Sequence, residues 1–314
     1  MHPSSPLKII DFRCRPPLQT FGLLFDLKLK RLNWQNKLMV EPMRAVSASM
    51  RHVGQEAGLD LLRQEMDEAG IALIVAPGRK APGNTAFKPL SGDAIVDFNV
   101  TDETLASLRQ RFDNRLIGLA GIDLSQPVDL IVSGIERSVK EFGLSGIVLE
   151  PGYFKAEDGS QLWADDKRLY PIYEAVCALD IFVMHQSGIY AGYDFGVNHW
   201  APVDRLLQDF PNLKFVLAHG GYPAVIEALA LACKHPNCYL SPDVYCFFPG
   251  GELYINAISK LPDQFIFASA YPFGPLKESV EGAQRFPLID AVMEKYMVGN
   301  AARLLKLYSQ ETFQ

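Results

Sequence analysis

Short apolar runs recur along this chain at nearly even spacing, and the segments between them carry the period of an amphipathic helix. The runs fall at 7–12, 71–76, 116–122, 145–149, 181–185, 212–219, 238–241 and 264–268. Each is short and apolar on both faces, the pattern of strands covered by helices on one side and by other strands on the other. Between them, helical patterns are expected at 56–69, 101–112, 128–142, 166–179, 202–210, 224–233 and 252–260, with closing helices at 288–308. Thr101-Asp102-Glu103-Thr104 carries N-capping chemistry, and Gly70 stands where a helix C-cap belongs. Eight strands alternating with helices predict an α/β fold with a parallel sheet, closed into a (β/α)8 barrel. The rival, an open doubly wound sheet, calls for a glycine-rich dinucleotide turn after the first strand. The first run instead ends in Arg13-Cys14-Arg15-Pro16-Pro17.

The chain has 314 residues, within the size at which such a barrel closes as one unit, so a single domain over 1–314 is expected. A segment at 18–53, rich in aromatic and basic residues, is expected to fold over the pocket. Net charge is −6, which excludes a broad basic field for nucleic acid or anionic membrane and means that any bound anion is met by a local cluster. The five cysteines show no C-x-x-C pairing, which speaks against a cysteine zinc site and for a reduced compartment. No apolar run reaches membrane-spanning length and the first residues lack signal-peptide character, so a cytoplasmic protein is expected.

In a parallel barrel, polar residues at the carboxyl ends of strands read as the site. Here these are Arg13 and Arg15 after the first strand, Glu150 after the fourth, His185 after the fifth, His219 after the sixth, Asp243 after the seventh and Ser269-Ala270-Tyr271 after the eighth. Arg13 and Arg15, two apart, project together, whereas Cys14 between them points to the helices. Guanidinium pairs bind carboxylates in bidentate fashion, or stabilise an oxyanion; a buried ion pair with Glu150, Asp243 or Asp11 is the structural alternative. His219 is the best acid–base candidate, with His185 as a second and Asp243 or Glu150 to orient them. His199, Tyr271 and further aromatics, among them Tyr190, Tyr193, Tyr222 and Tyr245, crowd the same rim and suit a flat ligand. Gly220-Gly221 reads as a turn or a close backbone approach.

Phe215-Val216-Leu217-Ala218-His219-Gly220-Gly221, Phe267-Ala268-Ser269-Ala270-Tyr271-Pro272 and Gly299-Asn300-Ala301-Ala302-Arg303 resemble the last third of the amidohydrolase superfamily. The branch they resemble contains aminocarboxymuconate semialdehyde decarboxylase. The resemblance runs from Ile9 to Leu305. It implies a TIM barrel in which His-x-His after strand one, a His after strand five and an Asp after strand eight hold a divalent metal, and a His after strand six assists catalysis. Carried onto this chain, those positions are Arg13-Cys14-Arg15, His185, Ala270 and His219. Three of the four implied ligands are missing, and an arginine has no lone pair to offer a metal. The expectation is therefore a metal-independent, cofactor-free enzyme whose arginines stand in for the metal's charge; a divalent ion such as zinc on His185, His219 and Asp243 is the alternative. Hydrolysis of a small anionic cyclic or aromatic carboxylate, lactone or amide is the first expectation. Decarboxylation or another carbon–carbon lyase reaction is the second, and a barrel that only binds small molecules the third. A homodimer is what the resemblance implies for assembly.

Overall fold

The computed structural model describes residues 8–18, 54–80, 100–154, 159–189 and 195–307. The segment at 18–53 lies outside the described residues save for Leu18, as do Tyr190 and Tyr193. Seven strands form one parallel sheet in sequence order: β1 (Ile9–Asp11), β2 (Ile71–Pro77), β3 (Leu116–Gly121), β4 (Gly146–Leu149), β5 (Phe182–Gln186), β6 (Lys214–Ala218) and β7 (Cys238–Ser241). The eighth run is irregular but closes the ring. Ile266 N donates to Leu240 O on one side at 3.0 Å, Phe12 N donates to Phe267 O on the other at 3.0 Å, and Cys14 bridges Tyr271. The chain is thus a (β/α)8 TIM barrel, as the alternation requires.

Around the strands run α1 (Gln55–Glu68), α2 (Asp102–Arg111), α3 (Val128–Lys140), α4 (Tyr170–Ala178), α5 (Trp200–Asp209), α6 (Val225–Lys234) and α7 (Glu252–Ile258), then α8 (Leu276–Gln284), α9 (Asp290–Glu294) and α10 (Asn300–Leu304). Thr101 caps α2 by accepting from Thr104 N at 3.2 Å. Gly70 has φ +69° between α1 and β2, the left-handed step expected of it. The helix α8 is not visible in the sequence pattern, because Gly282 interrupts it. That glycine is needed for packing: a Cβ there would stand 2.8 Å from the ring of Phe247.

The core has two layers. Ile10, Phe12, Leu73, Val75, Leu119, Val148, Phe182, Met184, Val216 and Ile266 fill the barrel interior, where the rings of Phe12 and Phe182 meet at 5.3 Å. The alternate residues, such as Ile9, Ile74, Leu116, Ile147, Val183 and Leu217, face outward and pack beneath the helices. Fully burying one such aliphatic side chain contributes roughly 1.5–3 kcal/mol, so the doubly covered strands dominate stability. This two-sided covering leaves the strand ends as the place where polar groups gather. Among the described residues no helix is long and apolar enough to cross a membrane.

Candidate active site

At the end of β1, Asp11 is fully buried and accepts three hydrogen bonds: from Arg13 N at 3.1 Å, Ser269 N at 2.9 Å and Ser269 Oγ at 2.5 Å. Ser269 Oγ in turn accepts from Tyr271 N at 2.8 Å. This clasp joins the first strand end to the eighth and fixes the backbone that carries Arg13. Burial raises the Asp11 carboxyl above the usual range, with the Ser269 and Arg13 hydrogen bonds opposing it.

Arg13 is 1% exposed. A buried guanidinium needs partners, and it has them on three strand ends. Its Nη2 donates to Gln186 Oε1 at 2.9 Å, and its Nη1 lies 3.6 Å from Asp243 Oδ2 and 3.4 Å from His219 Nδ1. Asp243 Oδ1 and Oδ2 lie 3.0 and 2.8 Å from that same imidazole nitrogen. Arginine has no acceptor capacity, so the arrangement that satisfies every group has His219 Nδ1–H donating to Asp243. The other ring nitrogen, Nε2, is then the one left for a reacting group. Burial pushes the Asp243 carboxyl up to about 8, against the pull of Arg13 and Arg15. Near neutrality the Asp243–His219 pair therefore holds a proton that belongs to the pair rather than to either residue.

His219, Asp243 and Ala270, at the ends of β6, β7 and the closing run, have φ of +60°, +47° and +54°. Non-glycine residues in the left-handed region cost on the order of 1–3 kcal/mol each and collect at functional sites. After His219, Gly220 and Gly221 continue the turn at φ +63° and +81°, where a Cβ would meet Pro242 at 2.9 Å and Leu217 at 2.9 Å respectively. The pair is a close-approach turn that no larger residue fits. Tyr245 stands edge-on to the His219 ring at 5.2 Å and stacks on Tyr222 at 4.4 Å, which gives the imidazole an aromatic wall.

The structure brings Arg13, His219 and Asp243 together. Arg15 is half-buried, is held through its backbone N to Tyr271 O at 3.0 Å, and acts electrostatically on Asp243. Glu150 pairs with Arg79 at 3.5 Å and also pulls on Arg13. Cys14 packs with the helix-side core; Phe12 faces the barrel interior, so this placement comes from the bend after β1 rather than from strand alternation.

Three other residues lie elsewhere. His185 is not part of the cluster: on β5 it alternates outward, its ring lies 5.3 Å from that of Phe215, and Gln186 takes the inward place. Tyr271 is fully buried in the helix-side core. His199 caps α5 by accepting from Ala201 N at 3.2 Å and stacks on Trp200, on the outer surface. Sequence reasoning missed Gln186. It shares the phase of Phe182 and Met184, both interior residues, but nothing in the sequence marks that phase as the inward one.

A parallel barrel with a charged, backbone-strained cluster at its strand ends defines an enzyme of the TIM-barrel type. Residues 56–307 match the Amidohydrolase family, and the chain belongs to it. Among curated relatives, the γ-resorcylate decarboxylase of Polaromonas sp. is 24% identical over 285 residues, covering 77% of this chain and 85% of that protein. A 2-keto-4-carboxy-3-hexenedioate hydratase of Sphingobium sp. is 26% identical over 52% of this chain and 53% of its own length. Among solved structures, a TIM-barrel protein of Bordetella bronchiseptica has a TM-score of 0.79 at 31% identity, covering 96% of this chain and 99% of its own. A dihydroxybenzoic acid decarboxylase of Polaromonas sp., with bound manganese and the inhibitor 2-nitroresorcinol, has a TM-score of 0.67 at 18% identity, covering 98% of this chain and 99% of its own.

The donor set here does not fit such an ion. Arg13 and Arg15 offer no lone pair, Ala270 offers no donor, and His185 faces away from Asp243 and His219. Among the described residues no group of three or more His, Cys, Asp or Glu is placed to hold a metal.

Proposed function

We propose that this enzyme is a decarboxylase of a small anionic aromatic carboxylate, and that it works through the arginine–aspartate–histidine cluster without a divalent metal. The observation that carries the reading is the buried Arg13–Asp243–His219 contact, with Nδ1 of the imidazole held at 2.8–3.0 Å by Asp243. When the proton of the Asp243–His219 pair resides on the imidazole, both ring nitrogens carry hydrogen, Nδ1–H donates to Asp243 and Nε2–H is the proton donor. Arg13, held rigid by Gln186, and Arg15 attract the substrate's anionic oxygens. The Nε2 proton passes to the ring carbon that bears the carboxylate. The bond from that carbon to the carboxylate then breaks, its electron pair restores the aromatic ring, carbon dioxide leaves, and the imidazole takes a proton back from water. A pair that still holds its proton near neutrality suits this step, which consumes a proton at carbon.

The named relatives support the choice of reaction, since a decarboxylase is among both the sequence relatives and the solved structures. Hydrolysis is the competing reading, because the His219–Asp243 pair could also activate water once deprotonated. The two separate in one assay on a panel of hydroxybenzoates and their esters and lactones. Release of carbon dioxide, with solvent deuterium placed at the vacated ring carbon, is expected. Ester or lactone cleavage without carbon dioxide would instead establish hydrolysis. The alkaline limb of kcat/KM is expected near the pH at which Asp243–His219 loses its proton, about 8. Elemental analysis of the active protein tests the metal claim: stoichiometric manganese or zinc, lost together with activity on chelation, would overturn it.

A further inference from the structure

At the carboxyl ends of β5, β6 and β7 three inward-facing residues stand in one row. In register, Gln186 on β5 lies beside Ala218 on β6, and Ala218 beside Ser241 on β7. Ala218 belongs to the barrel-interior layer, and Met184 and Tyr239, two residues before Gln186 and Ser241, lie in that layer or against it. Both polar side chains therefore share the inward phase. The alanine between them carries only a methyl group, so β6 leaves the space above it unfilled.

Three buried polar atoms around this row have no hydrogen-bond partner among the described residues: Gln186 Nε2, Ser241 Oγ and Asp243 Oδ2. The residues that carry them are 3%, 0% and 2% exposed. Gln186 Oε1 accepts from Arg13 Nη2, so the amide nitrogen is the end left over. Asp243 Oδ2 has its ionic contacts, 2.8 Å to His219 Nδ1 and 3.6 Å to Arg13 Nη1, while the imidazole hydrogen is aligned on Oδ1. Gln186 and Asp243 meet the same guanidinium, and Ser241 precedes Asp243 by two residues, so the three atoms are neighbours. Their needs are complementary: the amide nitrogen donates, the carboxylate oxygen accepts and the hydroxyl does either. Buried polar groups left in that condition cost free energy that one water recovers, since a buried water makes about three hydrogen bonds.

We propose that Ser241 is a positioning residue for the acid–base pair: together with Gln186 it holds a single buried water that donates to Asp243 Oδ2. The inference rests on the reading of Asp243–His219 as the pair that carries the proton. The water accepts from the amide and the hydroxyl and donates to the carboxylate. It steadies the ionised form of Asp243 and so sets how firmly the pair keeps its proton, without touching the substrate. Besides His219, Asp243 faces Arg13, Arg15 and Asp11 from the first strand end, and the neutral Cys246, Tyr254 and Tyr296. All of these stay in place when the Ser241 hydroxyl is removed, so a change in the pair's titration reports on the water.

The test compares the wild type with Ser241→Ala. A crystal structure of the wild type is expected to show one water within hydrogen-bond distance of Gln186 Nε2, Ser241 Oγ and Asp243 Oδ2, and the variant is expected to lack it. The titration of His219, followed by nitrogen-15 NMR of its imidazole, is expected to move up by about one pH unit in the variant, because the carboxylate has lost a donor. The alkaline limb of kcat/KM is expected to move with it while KM below that limb is unchanged. A wild type without this water, a water that stays in Ser241→Ala, or a His219 titration that does not move or moves down would each overturn the proposal. If Ser241→Ala fails to fold, the wild-type diffraction result decides alone. The NMR titration needs no substrate, so a protein that releases no carbon dioxide would overturn decarboxylation and leave this inference standing.

Discussion

Replacing Asp243 with asparagine keeps the side chain's shape and removes its titration, which makes it a direct probe of the buried cluster. In the folded protein burial raises this carboxyl from the ordinary 3.8 to about 8. Between those values the folded state holds a proton that the unfolded state has released. Wild-type stability from this group is therefore fully present below about pH 4, falls as pH rises, and levels off above about pH 8. The slope is about 1.4 kcal/mol per pH unit, so from about pH 5 to pH 8 the wild type should lose roughly 4 kcal/mol that Asp243→Asn does not lose. Other buried groups, Asp11 and His185 among them, are common to both proteins and drop out of the difference. Urea unfolding of both proteins across this range, read as the difference in unfolding free energy at each pH, measures it. The expected result is a variant that starts less stable or equal and gains on the wild type as pH rises. Parallel curves would show that Asp243 is ionised across the whole range. The proton assigned to the Asp243–His219 pair would then have to be abandoned.

Arg13→Lys keeps a charge but cannot reach Gln186 and Asp243 with one planar fork, and it should lower kcat by about 10²–10³; near wild-type turnover would remove Arg13 from the chemistry. Gln186→Leu leaves Nη2 of a buried guanidinium without its acceptor and should cost roughly 1–3 kcal/mol of stability in thermal or urea unfolding, a loss that Gln186→Glu should partly recover. Ser269→Ala removes one of the hydrogen bonds to the buried Asp11 carboxylate and leaves Tyr271 N without its acceptor. It should destabilise by a similar amount, about 1–3 kcal/mol, and lower kcat more than it raises KM, because the arginine it helps to place sits at the site.

The barrel was legible because its strands are covered on both faces and its helices on one, so two different periods alternate along the sequence. The meeting of Arg13, His219 and Asp243 was legible because each stands at or just past the end of an apolar run. What the pattern could not show was which face of β5 turns inward. When both faces of a strand are apolar, alternation gives no direction, and a one-residue choice moves every side chain to the other side. His185 drew attention as the only imidazole on β5, at the position where the family resemblance implies a metal ligand. Gln186, a residue type with no titration and no motif, took the inward place. The α8 helix was hidden for a related reason: Gly282 reads as a breaker in sequence and serves in space as the gap that admits Phe247.

The Asp11–Ser269 clasp has a consequence for how the protein comes into being. Its two halves are 258 residues apart in the chain. A chain made only as far as β7 lacks the Ser269 hydrogen bonds to Asp11, the carboxylate that holds Arg13 N. Contacts of such long range are slow to form and carry the full entropy of ring closure. The arginine is thus set only when the ring of strands is complete. A chain that lacks the closing run has no completed Asp11–Ser269 clasp, however much of its secondary structure has formed. Recovery of turnover on refolding therefore times the joining of the two ends of the barrel rather than the appearance of its helices.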